Sequence, residues 1–361
     1  MKKICFFSGD ITRSGGTERV STIIANELVR QGQYEICFLS LCEQKENPFF
    51  AIDERIKRHK LGEKWIQPGP GYLPLIPKIR KFLKQKEIDL IIDIDIVLDS
   101  LSIPASVGLK TKVLSWEHSN CFYEMSVLYR KLILKFSVRN SYYVVTLTEG
   151  DKKNYVNMLK RTNCIEAIYN PMEEVNISEE DIREKWIITV GHLISGKGPE
   201  YIAQAAKKVL PKNPDWKWYI VGEGEEREYL EKFIQENGLE KQMILTGLVN
   251  NVGEYLSKSK IFVLTSKSEG LPMCLLEAKA YGVPSISFDI PTGPNEIIDD
   301  GINGYLVKPF DCEDLANKVN ELISDDNKWS SFAKNTQQNM SKFSMESIME
   351  KWNRVLSSLC E

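Results

Sequence analysis

Two glutamates eight positions apart, Glu269 and Glu277, lie in the stretch S-K-S-E-G-L-P-M-C-L-L-E at 266–277. A short apolar run at 261–264 precedes them, and an apolar-periodic segment at 275–281, closed by Gly282, follows. That order predicts a strand, a loop and a helix. Pro272 suits the first helical turn, where a missing N–H costs nothing. The loop and first turn leave backbone N–H groups unpaired, and with the helix dipole these favour an anion. Glu269 can accept hydrogen bonds from hydroxyl groups. Glu277, about 1.5 turns further on, would meet another part of the same ligand. Phosphate-binding amides between two hydroxyl-binding carboxylates suit a nucleotide-sugar. An ordinary surface helix with two glutamates is the plain alternative; the embedded Gly270-Leu271-Pro272 sharpens the pattern.

Other loops carry residues of the same chemical kind. V-G-H-L-I-S-G-K-G at 190–198 follows a strand-like run, and its turn amides with Lys197 suit a diphosphate. S-G-G-T-E-R at 14–19 has two glycines, Gly15 and Gly16, that let a backbone approach a ligand closely. W-E-H-S-N at 116–120 puts His118, one of only three histidines, at the end of a strand-like run. G-E-G-E-E at 222–226 lacks the third glycine of a dinucleotide fingerprint and is acidic where a pyrophosphate would sit. D-I-D at 93–95 supplies a rival chemistry: two aspartates on one face of a strand could chelate a divalent cation, as in GT-A glycosyltransferases. A single GT-A domain would leave the glutamate pair and Lys197 unexplained.

Strand-like runs alternate with helical patterns along most of the chain, which predicts α/β architecture with parallel sheets. The first alternation runs through strands at 3–8, 34–41, 88–98, 112–116 and 142–147, with a helix at 18–30. A polar, acidic stretch at 170–184 reads as a linker. The second alternation has strands at 186–190, 216–221, 243–246, 261–264, 285–289 and 304–307. Helices are expected at 198–210, 225–237, 251–257 and 311–322, and a last amphipathic one at 344–360.

At 361 residues the chain is long enough for two well-packed domains. Its eight cysteines form no C-x-x-C, and most sit beside apolar runs, as reduced thiols of a cytoplasmic protein do. The start has too few apolar residues for a signal peptide, and no run approaches transmembrane length. Residues 1–170 hold 26 Lys and Arg against 19 Asp and Glu, while the remainder holds 21 against 31. That asymmetry suggests an anionic surface opposite the first half. Two segments mix basic and large apolar residues at helical spacing, 76–88 and 128–139. Each is readable as a contact with anionic lipid or as a solvated face over a core stripe.

The E-x7-E spacing with Gly-Leu-Pro inside resembles the signature of retaining GT-B glycosyltransferases, family 4 in particular. The 190–198 loop is similar to that family's G-R-L-x(3)-K-G, with His192 where Arg usually stands. A neutral His offers one donor rather than a fork, which leaves Lys197 as the main phosphate contact. The resemblance covers nearly the whole chain. It implies two Rossmann-like doubly wound domains facing a cleft: an acceptor-binding one over 1–170 and a nucleotide-sugar-binding one over 171–343. A helix over 344–361 would cross back to the first.

The implied catalytic set is His118, Lys197 and Glu269. Lys197 and the amides around Gly270, Leu271, Pro272 and Met273 would hold the diphosphate, with His192 beside them. Glu269 would bind the sugar hydroxyls and Glu277 the ribose. Gly15 and Gly16 would face the donor phosphate and the acceptor, and Gly222 would line the nucleotide. Thr246, Gly247, Leu248 and Val249 would read the base. The implied activity is transfer of a hexose to a hydroxyl with retention, the leaving diphosphate itself taking the acceptor's proton; no metal and no cofactor are expected. F-D-I-P-T-G-P-N-E-I-I at 288–298, with Glu296, resembles a subgroup acting in bacterial surface-polysaccharide pathways. The expected partners are a nucleotide-sugar and a lipid-diphosphate-linked glycan at the inner face of the plasma membrane, with no nucleic acid. UDP-galactose, UDP-N-acetylgalactosamine and UDP-glucose stand ahead of GDP-mannose. A non-catalytic nucleotide-sugar-binding subunit, a UDP-sugar 2-epimerase and a phosphorylase remain alternatives.

Overall fold

Apolar runs such as Ile4–Phe7 and Ile261–Leu264 are buried along their whole length, as central parallel strands must be when helices cover both faces of a sheet. The computed structural model describes residues 1–172, 175 and 183–360, the Pro70 side chain excepted. The linker expected at 170–184 falls mostly outside the described residues. The chain divides into two units. One is Met1–Pro171 with the final helix Met345–Cys360, and the other is Met172–Ser344.

Unit 1 has seven strands: β1 Lys2–Ser8, β2 Tyr34–Ser40, β3 Lys57–Lys60, β4 Leu90–Ile94, β5 Lys112–Trp116, β6 Tyr143–Thr146 and β7 Ile165–Ala167. Its helices are α1 Gly16–Gln31, α2 Leu75–Lys86, α3 Asp99–Ser106, α4 Cys121–Ser126, α5 Leu128–Asn140 and α6 Glu149–Leu159. The sheet order is β3-β2-β1-β4-β5-β6-β7, with every pairing parallel. The chain reverses its direction of travel between β1 and β4, the place where open α/β sheets take ligands.

The strand expected at 88–98 is shorter. It ends at Ile94, because Asp95 takes φ 100° and its carboxylate caps the turn Ile96–Leu98 by accepting from the Val97 N–H. Asp93 and Asp95 therefore do not share a strand face. Asp93 is fully buried and takes a hydrogen bond from the Ser102 hydroxyl, while Asp95 pairs with Arg130 at 3.2 Å. Among the described residues no three His, Cys, Asp or Glu side chains gather as a metal site would need.

The final helix buries Ile348, Met349, Trp352, Val355, Leu356 and Leu359, a stripe at helical spacing, within unit 1. Trp352 meets Trp116 edge-on at 4.8 Å. Lys112 donates to the Leu359 carbonyl and Lys351 to that of Ala167.

Among the described residues unit 2 has six strands: β8 Trp186–Val190, β9 Lys217–Val221, β10 Met243–Gly247, β11 Ile261–Leu264, β12 Ser285–Phe288 and β13 Gly304–Val307. The helices are α7 Pro199–Val209, α8 Arg227–Glu236, α9 Gly253–Lys258, α10 Met273–Ala280, α11 Pro294–Ile297, α12 Cys312–Ser324 and α13 Asp326–Asn335. The order is β10-β9-β8-β11-β12-β13, again all parallel, with the reversal between β8 and β11. Both units are thus doubly wound and Rossmann-like. Asp311 caps α12 by accepting from the N–H groups of Glu313 and Asp314, as its sequence position predicts.

All eight cysteines are free. Cys5, Cys42 and Cys121 are buried, Cys164 is exposed and the rest are half-buried, so fewer are core thiols than the apolar flanks suggest. Among the described residues no helix is long and apolar enough to cross a membrane.

Candidate active site

The strand order of unit 2 sets the loops after β8 and β11 side by side at the reversal, and there the two most informative motifs meet. Lys197, from the loop after β8, donates to Glu269 Oε1, from the loop after β11, at 2.6 Å. The residues are 72 positions apart in the chain. Glu269 keeps only a tenth of its side-chain surface in solvent, Lys197 about a third. Burial works against the Lys197 charge, but the Glu269 carboxylate outweighs it and holds the ammonium's pKa above its ordinary value.

The backbone stitches these loops together. The Thr265 hydroxyl donates to the carbonyls of Lys197 and Gly198, both at 3.0 Å, and the Lys267 N–H donates to Gly196. Gly198 caps α7 at φ 66°, and a Cβ there would lie 2.3 Å from the Thr265 carbonyl oxygen; only glycine fits. The Thr292 hydroxyl, from the loop after β12, donates to the Glu269 carbonyl at 2.6 Å. Sequence reasoning missed Thr265 and Thr292. The Thr292-Gly293-Pro294 turn is the one visible signal for Thr292, and Thr265 has none.

Pro272 sits one position earlier than its expected place in the first turn: it is the N-cap of α10, with ψ 109°. Gly270, Leu271 and Pro272 are buried in the loop, and Met273 opens the helix. Glu277 follows on α10, half-buried. His192 is exposed on the loop after β8.

The loops after β9 and β10 extend the same edge. The Leu193 N–H donates to the Glu223 carbonyl and the Gly222 N–H to that of Gly247. A Cβ on Gly222 would lie 1.9 Å from the Gly191 carbonyl oxygen, so this glycine serves loop-to-loop packing. Thr246 spends its hydroxyl on the backbone of Ile220 and Gly247. Leu248 is exposed and Val249 half-buried. His192, Lys197, Gly222, Thr246, Gly247, Leu248, Val249, Glu269, Gly270, Leu271, Pro272 and Met273 therefore all belong to the C-terminal strand ends of one sheet, with Glu277 just behind on α10.

The remaining candidates are in unit 1. His118 stands in the loop after β5, its ring 4.3 Å from that of Trp116. Burial lowers its pKa to about 3, so the imidazole is neutral, and its buried Nε2 has no hydrogen-bond partner among the described residues. Glu117, unremarked in the sequence, anchors this loop. Fully buried, it accepts from the Ser119 N–H at 2.7 Å and the Tyr155 hydroxyl at 3.1 Å. Burial, reinforced by Glu124, raises its pKa well above the carboxylate range.

Gly15 is the N-cap of α1 and Gly16 its first residue. The Glu18 carboxylate folds back over Gly15, 2.3 Å from where a Cβ would be. The anion-favouring end of α1 thus already holds a carboxylate of its own, in the manner of half a capping box.

The model of the family described as "Glycosyl transferases group 1" matches residues 172–339. An uncharacterized glycosyltransferase of Haemophilus influenzae is 32% identical over 357 residues, covering 99% of this chain and all of the relative. A Campylobacter jejuni α-1,4-N-acetyl-D-galactosaminyltransferase, named for an undecaprenol-diphosphate-linked GalNAc substrate, is 27% identical over 99% of both chains. The solved structure of Anabaena HepE in complex with UDP shares the fold, with TM-score 0.78 and 19% identity, over 99% of this chain and all of that one. A doubly wound pair of units, the Lys197–Glu269 constellation at the strand reversal and full-length similarity to a glycosyltransferase agree: the chain belongs to the group 1 glycosyl transferases of the GT-B fold.

Proposed function

We propose that the protein is a retaining hexosyltransferase that moves a sugar from a UDP-sugar to a hydroxyl of a lipid-linked glycan in surface-polysaccharide biosynthesis. One observation carries the reading: a lysine and a carboxylate from different loops converge at the strand reversal, beside a helix start, with a second carboxylate behind on that helix. The lysine and the α10 amides suit a diphosphate, and the carboxylates suit hydroxyls on either side of it. UDP is bound by HepE, and the substrate named for the Campylobacter jejuni relative is a lipid-diphosphate-linked glycan. These support the donor base and the acceptor class. Galactose, N-acetylgalactosamine or glucose is the sugar we favour.

In this reading Lys197 and the amides beside Pro272 stabilise the charge that grows on the leaving phosphate. That leaving group takes the acceptor's proton, so no protein nucleophile is required, and with the lysine and amides carrying the growing charge no metal ion is needed. Glu269 holds the sugar hydroxyls and Glu277 the ribose. His118, neutral and with a spare nitrogen, is the group we assign to orienting the sugar.

Thermal-shift measurements with UDP, GDP and ADP, with and without EDTA, test the donor half. Ligand at about 100 times Kd should add about 2.7 kcal/mol for UDP alone, whether or not EDTA is present. A response to another base, or one that EDTA abolishes, overturns the UDP or the metal-free part. Incubation with UDP-sugars and a lipid-diphosphate glycan, with the product's anomeric configuration read by NMR, tests the transfer. Inversion would sink the retaining mechanism, and sugar epimerised without acceptor would favour an epimerase.

A further inference from the structure

Two segments of unit 1 mix basic and large apolar residues at helical spacing, and the tertiary structure separates them. On α2 the apolar stripe Leu75, Ile79 and Leu83 is buried, so its lysines cover an ordinary core-facing helix. On α5 the relation is inverted. Leu134, Ser137 and Val138 face inward, while Leu128 and Leu132 keep 74% and 62% of their surface in solvent and Tyr129 and Phe136 are also exposed. The positions 128, 129, 132 and 136 fall on one side of a helix with a 3.6-residue turn. On α4, Phe122 and Tyr123 are exposed as well. Monomeric soluble surfaces rarely gather large apolar side chains in this way.

The charges carried by α5 itself are all of one sign. Lys131, Lys135 and Arg139 lie on α5, the latter two exposed. Glu124, the only acidic residue between 121 and 140, is buried and occupied by Arg130, which also reaches Asp95. Arg130 is thereby held inward, and among the described residues no carboxylate forms an ion pair with Lys131, Lys135 or Arg139. A two-fold contact with a second copy would set these bases against themselves. An apolar stripe bordered by uncompensated bases has the character of a helix that lies in an anionic bilayer surface. The geometry points to the outward face of α4 and α5 as the site through which the protein sits on a membrane rich in anionic lipid. Cys121, which opens α4, is three residues from His118, so this face adjoins the loop assigned to the sugar. The proposal deepens the lipid-linked acceptor reading, but lipid binding is measured without any glycosyl transfer, so either can fail alone.

The test is flotation of the full chain with vesicles of phosphatidylglycerol and phosphatidylethanolamine, and with vesicles of phosphatidylcholine. The chain should float with the first and stay behind with the second. Replacing Lys131, Lys135 and Arg139 together by Gln should weaken binding roughly 100-fold, at about fivefold per base. Leu128→Ser with Leu132→Ser should abolish it, with the melting temperature of each variant within a few degrees of wild type. These side chains are in solvent already, so folding does not depend on them. No flotation with anionic vesicles, equal flotation with both, or variants that float like wild type would overturn the proposal. So would a dimer in solution that the leucine variant dissociates without any change in lipid binding.

Discussion

Lys197 spends its charge on Glu269 in the structure, and a diphosphate would have to compete for it. The pairing gives two substitutions opposite signatures. Lys197→Ala should lower turnover by roughly 10²-fold or more, the scale of losing one charge-stabilising donor. Near-normal turnover in a steady-state assay would remove Lys197 from the chemistry. Glu269→Gln leaves the lysine unpaired, so UDP should bind several times tighter by calorimetry while transfer slows. Weaker UDP binding would show that the pair positions the lysine rather than competing for it. Glu277→Ala should act mainly on the donor KM, because a ribose contact persists from ground state to transition state. An unchanged KM with a lower kcat would move Glu277 from binding to catalysis.

At the scale of the element, α10 carries a cost next to its function. Lys279, two residues beyond Glu277, is fully buried, and its Nζ has no hydrogen-bond partner among the described residues. Burial lowers its pKa from 10.5 to about 7, with Asp299 opposing and Lys342 assisting. Between those values the unfolded chain holds a proton that the folded chain has released, so wild-type stability rises with pH across that window. Lys279→Met should therefore stabilise the protein by on the order of 4 kcal/mol at pH 7, and the gain should vanish as the pH approaches 10.5. Thermal melts of both proteins across that range check it. A gain independent of pH would mean that the side chain's packing, not its charge, sets the cost.

At the scale of the molecule, unit 2 is one continuous run of chain, whereas unit 1 is completed by a segment that follows unit 2 in the chain. The final helix delivers Trp352, fully buried, against Trp116, whose ring in turn touches that of His118. Trp352→Ala should cost about 3–5 kcal/mol, the usual range for emptying so large a core site. In a unit of this size that amounts to a fall of roughly 10 °C in the melting temperature. A fall confined to a degree or two would mean that the helix docks without supporting the core.

Much of the architecture is legible in the chain because central parallel strands, apolar on both faces, stand out between amphipathic helices. The edge strand β3, K-R-H-K, is not. Its side chains are all polar, exposed at Lys57 and Lys60 and half-buried at Arg58 and His59, and only backbone pairing with β2 makes it a strand. The early end of β4 hides for another reason: it rests on a positive φ at Asp95, which no periodicity reports. The motif glutamates, Lys197 and the glycine loops can be read from spacing, since each is a local strand–loop–helix pattern. Which loops become neighbours cannot, because strand order, not chain order, brings the end of β8 to the end of β11. The same holds for α5. Its composition allows either face to turn inward, and only the sheet it packs on decides that the leucines at 128 and 132 stay in solvent. Sequence determines local period and chemistry, while tertiary packing decides which local pieces share a surface.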